Sequence, residues 1–283
     1  MEPDAPQSNG AVLVMGFSGW MDGGNVSTGA IDWLAHKLDA EPVASLKPEG
    51  FYVYNMPGSM EMVSMFRPHV RIVDGVVEAF DEPENMFQLS RDRQFLLFNG
   101  KEPNMDWAGF AECIFAMADR YGVRRMFFVG SVSGLVPHTR DPRLFSSISH
   151  PELKDEVARF GLQLTNYEGP GSFITQLMVE CRRRELPLIT VVAEVPAYVA
   201  GNNIRCIESV VRTLSAVTSS PIDFDDLRVA SDELEKRISD AVAEKPELAG
   251  HIRKLEEQYD NEVFDTQMGD LKDWLEDQGI VLD

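Results

Sequence analysis

The sequence predicts an α/β fold built on a mainly parallel sheet, with a smaller helical part at its carboxyl end. Short continuous apolar runs, such as AVLVMGF at 11–17 and PLITVVAEV at 187–195, read as strands buried on both faces. Glycine-bearing loops follow several of these runs, and segments with helical apolar spacing follow the loops, which is the alternation of a βαβ architecture. With 283 residues, 44% of them hydrophobic, the chain can bury the core of one large domain, or of one domain plus an appendage.

The first unit is the strand 11–17, the loop GFSGWMDGG and a helix near 25–38, in which Val26, Ala30, Trp33 and Leu34 share a face and Asp22 or Asn25 is the cap. Residues 50–99 turn β-rich, with FYVYNM, HVRIVDGVVEAF around an Asp74-Gly75 turn, and RQFLLFNG. MDWAGFAECIFAMADRYG is helical, with Trp107, Phe110, Ile114 and Met117 on one face and Gly122 as its stop, and RRMFFVG at 124–130 is the next strand. After the loop GSVSGLVPHTRDP come a short helix over 151–160 and an extended piece over 161–167. EGPGS then opens the helix FITQLMVECRRRE, with Ser172 as N-cap and an apolar stripe of Ile174, Leu177, Met178 and Cys181. The strand 187–195 leads through PAYVAGNN into a helix carrying Ile204, Ile207, Val211 and Leu214. Composition shifts at Ser219-Ser-Pro221. From 221 to 283 there are 19 acidic against 7 basic residues, in two segments of helical spacing. The expected organisation is a loose tail over 1–10, an α/β core over 11–220 and an acidic helical subdomain over 221–283.

A formal charge of −20 opposes binding to polyphosphate backbones and anionic membranes, so neither nucleic acid nor membrane is an expected partner. The start MEPDAPQSNG lacks the basic and apolar regions of a secretion signal, and no apolar run is long enough to span a bilayer. Three cysteines, an odd number set far apart, suggest no disulfide framework and fit a reducing cytoplasm. Five histidines without an HExxH or clustered Cys/His pattern point to no metal, and no cofactor motif is present.

The loop at 16–24 raises the question of a phosphate cradle. It lacks the GxxxxGK[ST] and GxGxxG spacings, and Asp22 places a negative charge where a phosphate would sit, so a tight turn is expected. In VPHTRDP, His138 can exchange protons and Arg140 can grip a carboxylate, so the segment is either a catalytic pocket or a structural ion pair with a local carboxylate. Asp22, Glu168 and Glu194 stand at strand ends, where an open α/β sheet gathers its loops along one edge. GPGSF is not a nucleophile elbow.

Taken together, GFSGWMDGGNVSTGA, YNMPGSMEMVSMFRPHV, NGKEPNMDWAGFAE, GSVSGLVPHTRDP, NYEGPGSFITQL and EVPAYVAGNN resemble the proteasome assembly chaperone 2 family, in particular its bacterial branch. The likeness runs in order from about residue 11 to about 215. It implies a three-layer α/β/α sandwich of the phosphorylase/hydrolase-like kind with a small C-terminal helical part, and self-association as rings or trimers. It also implies a non-catalytic role toward protein partners, the proteasome among them. The chain departs from the family in two places. It ends Gly279-Ile-Val-Leu-Asp283, without the penultimate tyrosine of the proteasome-binding tail, and Asp141 separates Arg140 from Pro142 where the branch has VPHTRP.

Two functions are therefore weighed. The first is an interaction protein whose rim residues Trp20, Asp22, His138, Arg140, Glu168, Glu194 and Tyr198 form a pocket or an interface. The second is a hydrolase or phosphorylase-like enzyme with Asp22, His138, Arg140 and Glu168 as its catalytic candidates.

Overall fold

The computed structural model describes residues 10–277; apart from Gly10, the expected tail lies outside them, as do the last residues of the chain. The elements are β1 (Val12–Ser18), α1 (Val26–Lys37), β2 (Glu41–Ser45), α2 (Met60–Ser64), β3 (His69–Val73), β4 (Val76–Asp81), β5 (Met86–Leu89), β6 (Phe95–Lys101), α3 (Trp107–Arg120) and β7 (Arg125–Gly134). They continue with β8 (Leu144–Ser146), α4 (Lys154–Arg159), β9 (Gln163–Leu164), α5 (Phe173–Arg183), β10 (Leu188–Pro196), α6 (Ile204–Thr218), α7 (Asp225–Ala243) and α8 (Pro246–Asp277).

Eight strands form one sheet in the order β2-β5-β6-β1-β7-β10-β8-β9. Its centre, β6-β1-β7-β10, is parallel, as strands joined through crossover helices must be. The flanks bring in antiparallel pairs, β2 on β5, β5 on β6 and β8 on β10, so the sheet is parallel in the middle and mixed at its margins.

Alternation along β1 explains why its sequence is apolar throughout. Val12 and Val14 enter the core layer shared with α1 and α6, whereas Leu13, Met15 and Phe17 enter the layer shared with α3 and α5. The second layer centres on Phe17, Phe98, Phe110 and Phe173, whose rings lie 5.2–6.2 Å apart in tilted and edge contacts. Gly16 lets α1 lie close on the sheet: a Cβ there would stand 2.5 Å from the Ser27 carbonyl oxygen and 2.6 Å from Ile31.

FYVYNM is not a strand. It is an irregular segment held by Tyr52, whose hydroxyl bonds Asn85 and the Lys101 carbonyl, and the antiparallel margin comes instead from β2 and β5. Of 161–167 only Gln163–Leu164 is a strand. HVRIVDGVVEAF does form a hairpin, and Asp74 and Gly75 have the positive φ values, 49° and 81°, that its tight turn requires. That hairpin is a separate two-stranded sheet and, among the described residues, joins no other strand.

The acidic helices pack back onto the core. Leu227 of α7 joins the α1/α6 core layer, Lys37 pairs with Asp223 and Asp226, and Trp33 Nε1 donates to Asp226.

Candidate functional site

The carboxyl ends of β1, β6, β7 and β10 open onto one rim, and the loops gathered there hold most of the predicted residues. The loop after β1 is stitched to its neighbours atom by atom. The Ser131 N–H donates to the Met21 carbonyl, the Ser131 hydroxyl donates to that of Gly23, and the Asn203 N–H donates to that of Gly24. Asp22 is the effective cap of α1: its carboxylate accepts the Thr28 N–H at 3.1 Å and the Thr28 hydroxyl at 2.8 Å. Burial holds the Asp22 carboxyl above its ordinary range, against the lowering effect of these bonds. Asn25 sits at the helix start but turns its amide to Asn202. With these groups engaged inside the protein, the loop is a structural turn.

Glu102, at the end of β6, was not singled out by sequence reasoning. One of its oxygens accepts the Trp20 N–H and the other the Phe173 N–H that opens α5. A carboxylate of the chain therefore occupies the positive end of that helix, where an anion would otherwise sit. Gly19, at φ 138°, allows the approach, since a Cβ would lie 3.2 Å from that of Glu102. Ser172 caps α5 in a reciprocal box with Thr175.

VPHTRDP lies under the two C-terminal helices. Arg140 takes Asp260 of α8 in a two-pronged pair, 2.7 Å on each prong, with Glu256 at 3.7 Å, so its carboxylate partners come from α8, Asp260 120 residues along the chain, and not from the local sequence. Thr139 bonds Glu256, Arg143 reaches both Glu194 of β10 and Glu262, and the Asp141 carbonyl accepts the Tyr259 hydroxyl. Arg205, at the start of α6, bonds the Arg140 carbonyl, Asp141 and Glu235 of α7.

His138 is 4% exposed. Its backbone N–H donates to the Tyr198 hydroxyl at 2.7 Å, the same hydroxyl lies 2.8 Å from Nδ1, and Nε2 lies 3.1 Å from the Ser239 hydroxyl of α7. The arrangement fits a neutral ring: Tyr198 donates to Nδ1, and Nε2–H donates to Ser239. Burial lowers the affinity of His138 for a proton, and Glu235 and Glu256 act in the opposite sense.

A small enclosed space of about 20 Å³ beneath α7 is lined by His138, Arg140, Glu194 and Arg205 among others, with room for about one water. Burial raises the Glu194 carboxyl, and Arg143 opposes the rise. Asp22 lies apart in the loop before α1, bonded to Thr28, and Glu168 is exposed in the loop before α5, so the geometry does not bring the four catalytic candidates into one bonded set. Among the described residues no group of three or more His, Cys, Asp or Glu side chains is placed to hold a metal ion, and no helix is long and apolar enough to cross a membrane. Arg143, Arg205, Tyr259 and Asp260 carried no motif in the sequence; only Asn203, which caps α6 through Cys206, stood in a readable helix-start signal.

The result is an α/β/α scaffold whose rim is knitted by backbone bonds and covered by ion-paired helices. Residues 16–242 match the model of the PAC2 family, and the chain belongs to that family. The match ends before α8, so the helix that supplies Glu256, Tyr259, Asp260 and Glu262 lies beyond it.

Among solved structures, the chain is similar to a proteasome-assembly chaperone homologue of Mycobacterium tuberculosis, 29% identical, with a TM-score of 0.74 over 85% of this chain and 99% of that one. It is also similar to a PAC2 family protein of Streptomyces avermitilis, 25% identical, with a TM-score of 0.71 and the same coverage. The fold extends to an archaeal proteasome activator of Pyrococcus furiosus, 17% identical, with a TM-score of 0.61 over 84% of this chain and 96% of that one. A search of curated proteins gives no significant match.

Proposed function

We propose that the chain is a non-catalytic assembly or interaction protein that works as a homo-oligomer and presents its rim and acidic helices to other proteins, proteasome subunits being the first class to test. The observation that carries this reading is the arm formed by the β3–β4 hairpin, which α2 precedes in the chain. Val70 pairs with Phe80 and Ile72 with Val77 across the hairpin, and these four residues form one apolar face. The opposite face carries the cross-strand pairs His69–Asp81 and Arg71–Glu78. An amphipathic ribbon normally lays its apolar face on a core, yet Ile72 is 59% exposed and Phe80 55%. Met60 and Met65, in the segment before it, are 87% and 73% exposed.

Exposed apolar side chains gathered on one face of a ribbon are the kind of surface that a protein interface covers. A lone two-stranded ribbon is marginal in water, so a neighbouring copy that covers it stabilises both. The kinship with proteasome-assembly chaperone homologues supports a protein as the further partner.

Light scattering on the full chain tests the first half: the wild type is expected to run as an oligomer, and Ile72→Lys with Phe80→Asp as a monomer of unchanged circular dichroism. A wild type that stays monomeric at micromolar concentration overturns it. Co-purification from native lysate and mixing with purified proteasome core particles test the second half; a homo-oligomer that emerges alone under a range of mild conditions counts against a partner.

A further inference from the structure

Besides the arm and the strapped pocket, the rim holds an open cleft of about 380 Å³, between the loop after β1 and the loops that precede α3 and α5. We propose that this cleft receives the basic side chain, arginine or lysine, of a partner polypeptide, held between the indoles of Trp20 and Trp107 with Glu102 as counter-charge. The proposal deepens the interaction reading by naming the chemistry of a partner at a surface other than the arm.

The walls are aromatic and rigid. Trp20 is 71% exposed, an unusual state for the largest apolar side chain, and its backbone is anchored by Glu102. Trp107 is fixed from two sides: its Nε1 donates to the Pro103 carbonyl at 2.8 Å, and its ring meets Phe173 edge-on at 6.2 Å. Pro103 and Pro170 complete the lining. With its indole N–H engaged, Trp107 offers a ligand its π-face, and indole faces attract cations more strongly than other aromatic rings do.

The charges point the same way. Each oxygen of Glu102 accepts a single backbone N–H and keeps a second lone pair for a donor in the cleft. The one cation in the lining, Lys101, carries its ammonium 5.8 Å over the Tyr52 ring, and Tyr52 does not line the cleft. An anion is disfavoured, because Glu102 already fills the amino end of α5. The formal charge of −20 draws basic partners toward the molecule at long range.

The test uses the full chain labelled with 5-fluorotryptophan and three capped tripeptides, Gly-Arg-Gly, Gly-Lys-Gly and Gly-citrulline-Gly, the last being the uncharged analogue of the first. At millimolar peptide the fluorine signals of Trp20 and Trp107 are expected to shift with arginine and lysine while that of Trp33 stays. Citrulline is expected to bind about tenfold more weakly, as is arginine to Glu102→Gln, which removes the counter-charge and keeps an acceptor for one of the two backbone N–H groups. Trp20→Ala is expected to abolish the shift at Trp107. Equal binding of citrulline, stronger binding of a capped Pro-Pro-Pro peptide, or four unmoved signals overturns the proposal. The wild-type comparison of arginine with citrulline needs no variant to fold. A monomeric wild type that still shows the Trp20 shift refutes the arm while leaving the cleft intact.

Discussion

Asp22 and His138 show how single groups on the rim respond to burial. Asp22 is desolvated, so folding raises its proton affinity above the ordinary 3.8 of an aspartate. A raised acid makes the folded state bind more protons than the unfolded one, so the contribution of Asp22 is greatest at low pH and falls as pH rises through the folded value. Asp22→Asn keeps an acceptor for the Thr28 N–H and removes the buried charge. It is expected to leave stability at neutral pH unchanged or higher, whereas Asp22→Ala, which loses the cap, is expected to lower it by about 1 kcal/mol in urea unfolding. For His138 the sign is opposite. Its proton affinity is lowered from the ordinary 6.5, so its contribution is present above that value and is lost as pH falls below it. The protection of α7 amides relative to their intrinsic exchange rate is expected to fall between neutral and mildly acidic pH in the wild type, and less so in His138→Gln.

At the scale of elements, α7 packs on the core through Leu227, and both α7 and α8 are also tied to the rim by ion-paired side chains. The pairs Arg140–Asp260, Arg143–Glu262 and Arg205–Glu235 form a strap in which the acidic partners come from the helices and the basic ones from the core. Arg140 and Asp260 are solvated, so salt screens their attraction. Raising the salt to about 1 M, where the screening length falls to about 3 Å, is expected to speed hydrogen exchange across 246–265 while the strands keep their protection. Exchange in that segment that is independent of salt would show that packing alone holds α8. Arg205 is more deeply set, and Arg205→Ala leaves the Arg140 carbonyl and Glu235 without their donor. The expected loss is about 2 kcal/mol in unfolding free energy.

At the scale of the molecule, the apolar arm and the tryptophan cleft are two surfaces of the described residues open to a partner. Different patches on one subunit favour a heterologous contact, which closes into a ring if the rotation between copies allows it. If copies cover the arm, its protection from exchange depends on concentration, and dilution is expected to expose 60–81 before any core strand opens. A protection pattern that does not change on dilution would separate the arm from self-association.

The α/β core was legible because its signals are local. The runs at 11–17 and 187–195, the cap at Ser172, the Asp74-Gly75 turn and the stop at Gly122 each depend on a few neighbouring residues and on backbone preferences that tertiary context left intact. Motif order along the chain likewise pointed to the family. Tertiary structure alone decided which oxygens and cations meet. Glu102 reaches two loops 82 and 71 residues away, and Arg140 finds Asp260 at a separation of 120, distances over which composition and periodicity carry no information. The physical reason is that a charge is satisfied by whatever group the fold brings within about 3 Å. The placement of α8 over the rim, and with it the site, is a property of the packed chain.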